Sequence, residues 1–119
     1  MDRLNIIRDY YPKVDAGEVE WVISLFAEDG NYHRAEASYS GKNEIADFYK
    51  NSRKIKGRHT LESILSEGDT VAVNGVFEGF GVDGSAKKMR FADFWTFNRD
   101  DLVSVRKTYL AAGADYVRE

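Results

Sequence analysis

The hydrophobic pattern of this chain changes its period once, and that change does most to limit the fold. Up to Gly57 the apolar residues recur at helical spacing, and after Arg58 they alternate with a period of two. A helical first half followed by a strand-rich second half is the pattern of an α+β domain. The first helix is predicted from about Asp2 into Lys13, with Leu4, Ile7, Tyr10 and Tyr11 at helical spacing. Pro12 is expected to end or kink its last turn. Asp15 with Glu18 three residues on reads as a capping box, followed by the apolar stripe Val19, Val22, Ile23 and Phe26. A short strand over 30–34 leads through 35–41 into a third helix, with Ile45, Phe48 and Tyr49 inward and Gly57 as its C-terminal cap.

Four strands are predicted over 58–66, 70–82, 85–97 and 102–109. The turns between them are Glu67-Gly-Asp, Asp83-Gly and Arg99-Asp-Asp. Gly75, Gly79 and Gly81 within the second of these strands suggest bulges or bends, which a sheet needs in order to curl. The expected architecture is three N-terminal helices on a strongly curved, mostly antiparallel sheet, a cone-shaped α+β barrel with an internal pocket.

At 119 residues the chain is expected to form one domain, 1–119, with an ordinary globular balance of 43% hydrophobic and 31% charged residues. A net charge of −3 with scattered basic residues argues against nucleic acid as a partner. The absence of cysteine removes disulfides, thiolate metal sites and a cysteine nucleophile. His33 and His59 make no metal motif, and the glycines from 79 to 84 are explained by curvature and turning rather than by a phosphate loop. No cofactor or metal is called for. No run spans a bilayer and no leader-like h-region opens the chain, so the default is a cytoplasmic protein without a membrane partner.

Three runs then carry a resemblance. Val14-Asp-Ala-Gly-Glu-Val-Glu-Trp-Val followed by Leu25-Phe-Ala-Glu-Asp is one, and Gly41-Lys-Asn-Glu-Ile-Ala-Asp-Phe-Tyr is another. The third is Ala92-Asp-Phe-Trp-Thr-Phe with Lys107-Thr-Tyr after a tight turn. In order and spacing they resemble the ketosteroid isomerase and SnoaL-like branch of the nuclear transport factor two-like superfamily, over nearly the whole chain. Those isomerases move a proton with a carboxylate base while a Tyr and a protonated Asp hold the enolate oxygen. The resemblance carries the oxyanion Tyr onto Tyr10, its supporting Tyr onto Tyr49, and the oxyanion Asp onto Asp93. It carries the base onto Arg34, which cannot serve as one near neutral pH. The neighbours His33, Ala35 and Glu36 include no Asp.

Period-two counting puts Asp93 and Trp95 on one strand face and Phe94 and Thr96 on the other. Arg106, Thr108 and Leu110 occupy positions that the family uses for apolar lining, so Arg106 is expected to point inward near Asp93. Two readings follow. Arg34, Arg106 and Asp93 form a buried ion-pair network, or they bind an oxygen of a ligand.

The leading expectation is a small-molecule enzyme acting on a hydrophobic carbonyl- or epoxide-bearing substrate, an isomerase, cyclase or hydrolase without the usual isomerase base. Asp93 and Tyr10 are its candidate catalytic residues, with Asp93 as acid, base or orienter of a water. Arg34, Arg106, Tyr49, Trp95 and Phe26 are its candidate substrate-binding residues. The alternative is a non-catalytic ligand-binding or dimerisation module of the same fold. Either is expected to be a homodimer through the outer sheet face, which carries Phe94 and Phe80.

Overall fold

Asp2 starts the first helix, and its side chain accepts a hydrogen bond from the Asn5 N–H, which satisfies one orphan donor of the first turn. The computed structural model describes residues 2–53, 56–81 and 83–111. Helix α1 (Arg3–Asp15) buries Ile7, Tyr10, Tyr11 and Val14. Pro12 does not end it. The helix runs on to Asp15, whose carboxylate accepts from the backbone N–H of His59, 2.8 Å away on a distant strand. The predicted capping box is absent for the same reason, and helix α2 (Val19–Ser24) opens after Glu18 with no side-chain cap. A long-range partner took the side chain that local pattern had assigned to the helix start.

Phe26 lies outside α2 and begins β1 (Phe26–Arg34), so this strand starts earlier than predicted. Residues 35–41 include a strand the pattern did not show, β2 (Ala37–Ser40), paired antiparallel with β1. Helix α3 (Lys42–Asp47) continues into a π-helical turn (Phe48–Ser52), and Ile45, Phe48 and Tyr49 are buried there as expected. Gly57 is no helix cap. It sits in β3 (Lys56–Glu67) opposite Gly79 of β4 (Thr70–Phe80), where a Cβ on either glycine would strike the partner backbone. The end of the predicted 70–82 strand, Val82, lies outside the described residues. Strands β5 (Ala86–Phe97) and β6 (Val103–Ala111) complete the meander.

The six strands form one open, curved sheet in the order β2-β1-β6-β5-β4-β3, with β1 and β6 parallel and the other neighbours antiparallel. A register shift between Leu61 and Ser63 on β3 lies opposite Gly75, where a Cβ would meet the Thr60 carbonyl. Val71, Val73, Phe77, Phe91, Trp95 and Phe97 point from the strands into a core shared with the helices. Arg3 ties the start of α1 to two turns, donating to Asp101 at 2.7 Å and Asp69 at 2.8 Å. The architecture is the α+β arrangement expected, with an unclosed sheet around the helices. No helix among the described residues is long and apolar enough to cross a membrane.

Candidate functional site

Two rungs of the sheet set the site. In one, Tyr32 of β1, Arg106 of β6, Trp95 of β5 and Val71 of β4 lie side by side. In the next, Arg34, Thr108, Asp93 and Val73 do the same. Alternation along β5 turns Asp93 and Trp95 toward the helices and Phe94 away, as period-two counting requires. On β6 alternation alone is insufficient, because Val103 and Arg106 are both buried yet an odd number of residues apart. Phe97 pairs with Val103 and Thr96 with Val105, so Ser104 is an extra residue that shifts the phase. That one irregularity turns Arg106 and Thr108 inward.

Asp93 is 1% exposed and Arg106 4% exposed. Arg106 Nη2 donates to Asp93 Oδ2 at 3.0 Å, and the Tyr11 hydroxyl donates to the same oxygen at 2.5 Å. The Thr108 hydroxyl donates to Oδ1. All three partners donate, which is the pattern of an ionised carboxylate. The resemblance implies a protonated Asp at this place, and here the Asp93 carboxyl faces the Arg106 guanidinium at 3.0 Å.

The other half of the guanidinium is turned to α1 and the π-helical turn. Arg106 Nη1 donates to the Tyr10 hydroxyl at 2.6 Å and to the Tyr49 hydroxyl at 2.7 Å, and those two oxygens are 2.7 Å apart. Three rings cage the cation, with Trp95, Tyr32 and Tyr10 centred 4.3, 4.6 and 4.7 Å from its central carbon. Burial alone would lower the Arg106 pKa, but the Asp93 carboxylate together with Tyr10, Tyr32 and Tyr49 outweighs it and holds the guanidinium well above its ordinary value. Burial raises Tyr11 and Tyr49 well above the ordinary tyrosine range, with the Asp93 charge adding to the effect at Tyr11. Burial likewise pushes Tyr32 up to about 12.

A cleft opens beside this network. Tyr10, Tyr32, Asp93, Arg106 and Thr108 form its polar floor, and Phe77, Met89, Phe91 and Leu110 its apolar wall. Arg34, Arg53 and His59 complete the lining. The cleft is open at its mouth and its cavity volume is about 40 Å³. The inner part holds a functional group or a few waters, and the rest of a ligand would lie along the outer wall.

The structure therefore brings Asp93, Tyr10, Arg34 and Arg106 to one cleft. Arg34 lies over the Phe48 ring at 5.6 Å, on the cleft but outside the Asp93 network. Tyr49 and Trp95 support the floor from behind through Arg106. Phe26 is fully buried one layer further back, 6.1 Å from Trp95 and 6.3 Å from Tyr49 between ring centres. Sequence reasoning missed Tyr11 as a partner of Asp93. The signal was present in its place one residue after Tyr10 on a helix crossing the same sheet. It also missed His59, whose ring Nδ1 is 2.6 Å from Asp15 Oδ1. Tyr11 and Asp15 are four residues apart, hence on one face of α1, and that spacing could have pointed to a polar cluster there.

Comparison with known proteins agrees with this architecture. An NTF2-like protein of unknown function from Burkholderia pseudomallei superposes with a TM-score of 0.83 at 16% identity, over 93% of this chain and 92% of that one. A hypothetical protein with a ketosteroid isomerase-like fold from Catenulispora acidiphila, in complex with trimethylamine, gives 0.75 at 18% identity over 87% and 83%. An LEH-like epoxide hydrolase from M. tuberculosis gives 0.80 at 9% identity over 92% and 82%. At these identities the likeness is one of fold. No curated protein matches the sequence. The family model of the SnoaL-like domain matches residues 7–105, nearly the whole helix-and-sheet unit described above, and the chain belongs to that family.

Proposed function

We propose that the cleft is the active site of a small-molecule enzyme acting on a hydrophobic carbonyl- or epoxide-bearing substrate, with the Tyr10 hydroxyl as the donor to the substrate oxygen. A count of protons carries this reading. Arg106 Nη1 gives one hydrogen to each of Tyr10 and Tyr49, and one of those hydroxyls donates to the other. One hydroxyl proton is left over. Tyr10 lines the cleft and Tyr49 stands behind it, so the spare proton belongs to Tyr10 and points to a ligand. A phenol whose oxygen already accepts from a guanidinium is a strengthened donor, suited to an oxygen that gains negative charge during reaction.

In this reading Asp93 acts as a positioning residue. With its oxygens held by Tyr11, Thr108 and Arg106, it fixes the guanidinium that polarises Tyr10. Arg34 at the cleft orients a second polar group of the substrate, and the Phe77, Met89 and Phe91 wall takes its apolar body. The fold likeness to an epoxide hydrolase supports the epoxide branch.

The test is turnover of a panel of cyclic epoxides and β,γ-unsaturated ketones by the wild type and by Tyr10→Phe. Loss of about 10²–10³ in kcat is expected in the variant. Equal turnover by both proteins would remove Tyr10 from the mechanism.

A homodimer belongs to the same proposal. Phe94 and Tyr109 meet edge to face on the outer side of the sheet, 5.9 Å between ring centres, and are 43% and 56% exposed. Paired exposed aromatics on the outer sheet face suit a second copy of the chain.

A further inference from the structure

The isomerase base falls on Arg34 in this sequence, and yet the cleft contains an imidazole. We infer that His59, oriented by Asp15, is the general base of the site; this rests on the enzymatic reading above. Asp15 Oδ1 lies 2.6 Å from His59 Nδ1, and Asp15 Oδ2 accepts from the His59 backbone N–H at 2.8 Å. Both carboxylate oxygens therefore hold the same residue, and neither partner rotates without breaking a second bond.

A carboxylate only accepts, so the proton on this contact sits on Nδ1. The neutral ring then carries its lone pair on Nε2, which has no hydrogen-bond partner among the described residues. His59 lines the cleft. Its ring is wedged among Phe77, Phe91 and Tyr11, with centres 4.8, 5.2 and 5.3 Å away, which fixes its plane. The side chains of His59 and Asp15 are 13% and 15% exposed, shielded yet open at one side. An imidazole locked in one tautomer by a carboxylate, on a residue that lines a cavity, is the arrangement that general-base chemistry requires.

In epoxide opening, Nε2 takes a proton from a water as the water oxygen bonds to a ring carbon. The breaking C–O bond leaves its electron pair on the epoxide oxygen, which takes the Tyr10 hydroxyl proton. The product is a diol, and solvent returns the imidazolium proton to the tyrosinate. In an enone shift the same nitrogen takes the C–H proton next to the carbonyl, while Tyr10 hydrogen-bonds the enolate oxygen. It then returns that proton to the distal carbon.

Two readouts on the full chain test this. Long-range proton–nitrogen correlation on 15N-labelled protein reads the ring without any substrate. The neutral His59 ring is expected as the Nδ1–H tautomer, and Asp15→Asn is expected to shift it toward Nε2–H. An Nε2–H ring in the wild type overturns the assignment. On the epoxide and ketone panel, His59→Gln is expected to lower kcat by about 10²–10⁴ with KM little changed. Loss in Tyr10→Phe with full activity in His59→Gln overturns the base and keeps the enzymatic reading. A wild type inactive on the whole panel overturns both roles in catalysis, whatever tautomer the spectrum shows.

Discussion

Asp93 and Arg106 form a buried ion pair across β5 and β6 at the floor of the cleft, with 3.0 Å between Oδ2 and Nη2. Everything else at the cleft floor is arranged around that pair. Tyr11 and Thr108 complete the carboxylate, Tyr10 and Tyr49 complete one end of the guanidinium, and three rings cover its faces.

Removing one partner should therefore cost far more than removing both. Asp93→Asn leaves a buried guanidinium without its counter-charge and is expected to destabilise the fold by about 3–5 kcal/mol in urea unfolding. The double variant Asp93→Leu with Arg106→Met is expected to recover much of that loss while staying inactive. A single variant within about 1 kcal/mol of the wild type would show that the pair is not energetically coupled.

The buried tyrosines fix the alkaline limit of stability. Tyr32 moves from an ordinary value of 10.0 to about 12, and Tyr11 and Tyr49 move in the same direction, all chiefly through burial. A raised acid pKa means that the native state keeps a proton the unfolded chain has lost. Stability is then complete below the unfolded value near 10 and falls as pH rises toward the folded value near 12. Tyrosinate absorbance followed with circular dichroism should show these residues ionising together with unfolding. Independent ionisation with the fold intact would contradict their sealed setting.

Gly75 and Gly68 should respond differently to alanine. At Gly75 a Cβ would meet the Thr60 carbonyl and the Phe91 ring, so Gly75→Ala is expected to cost about 1–3 kcal/mol through strain at the β3–β4 bend. Gly68 has open space around it but a φ of +57°, so Gly68→Ala should cost about 1 kcal/mol or less. Thermal denaturation of the two variants side by side decides it, and the opposite order would mean that the bend adapts.

The outer sheet face predicts an oligomer. Sedimentation velocity across a range of protein concentrations is expected to give a dimer for the wild type and a monomer for Phe94→Glu, since a buried unpaired charge opposes the contact. A wild type monomeric at every concentration would remove the proposed interface.

Much of this fold is readable from local pattern. The switch from helical to alternating period places the helices in the first half of the chain and the long strands β3 to β6 in the second. The count along β5 puts Asp93 and Trp95 on one face, and the spacing of Ile7, Tyr10 and Tyr11 puts those side chains on the buried side of α1. Each of these is a relation within one element, set by the geometry of a strand or a helix.

What the chain alone does not display is which distant partner claims a polar group. Asp15 followed by Glu18 satisfies a helix-start pattern, and yet the carboxylate goes to His59, forty-four residues away. Arg106 is expected near Asp93 from the sequence, but Ser104 looks like any strand residue, and the phase shift it introduces on β6 shows only in the strand pairing. Burial sets the value of a hydrogen bond and pairing sets its partner; both arise when strands and helices meet, so they are properties of the assembled fold and of no single stretch of sequence.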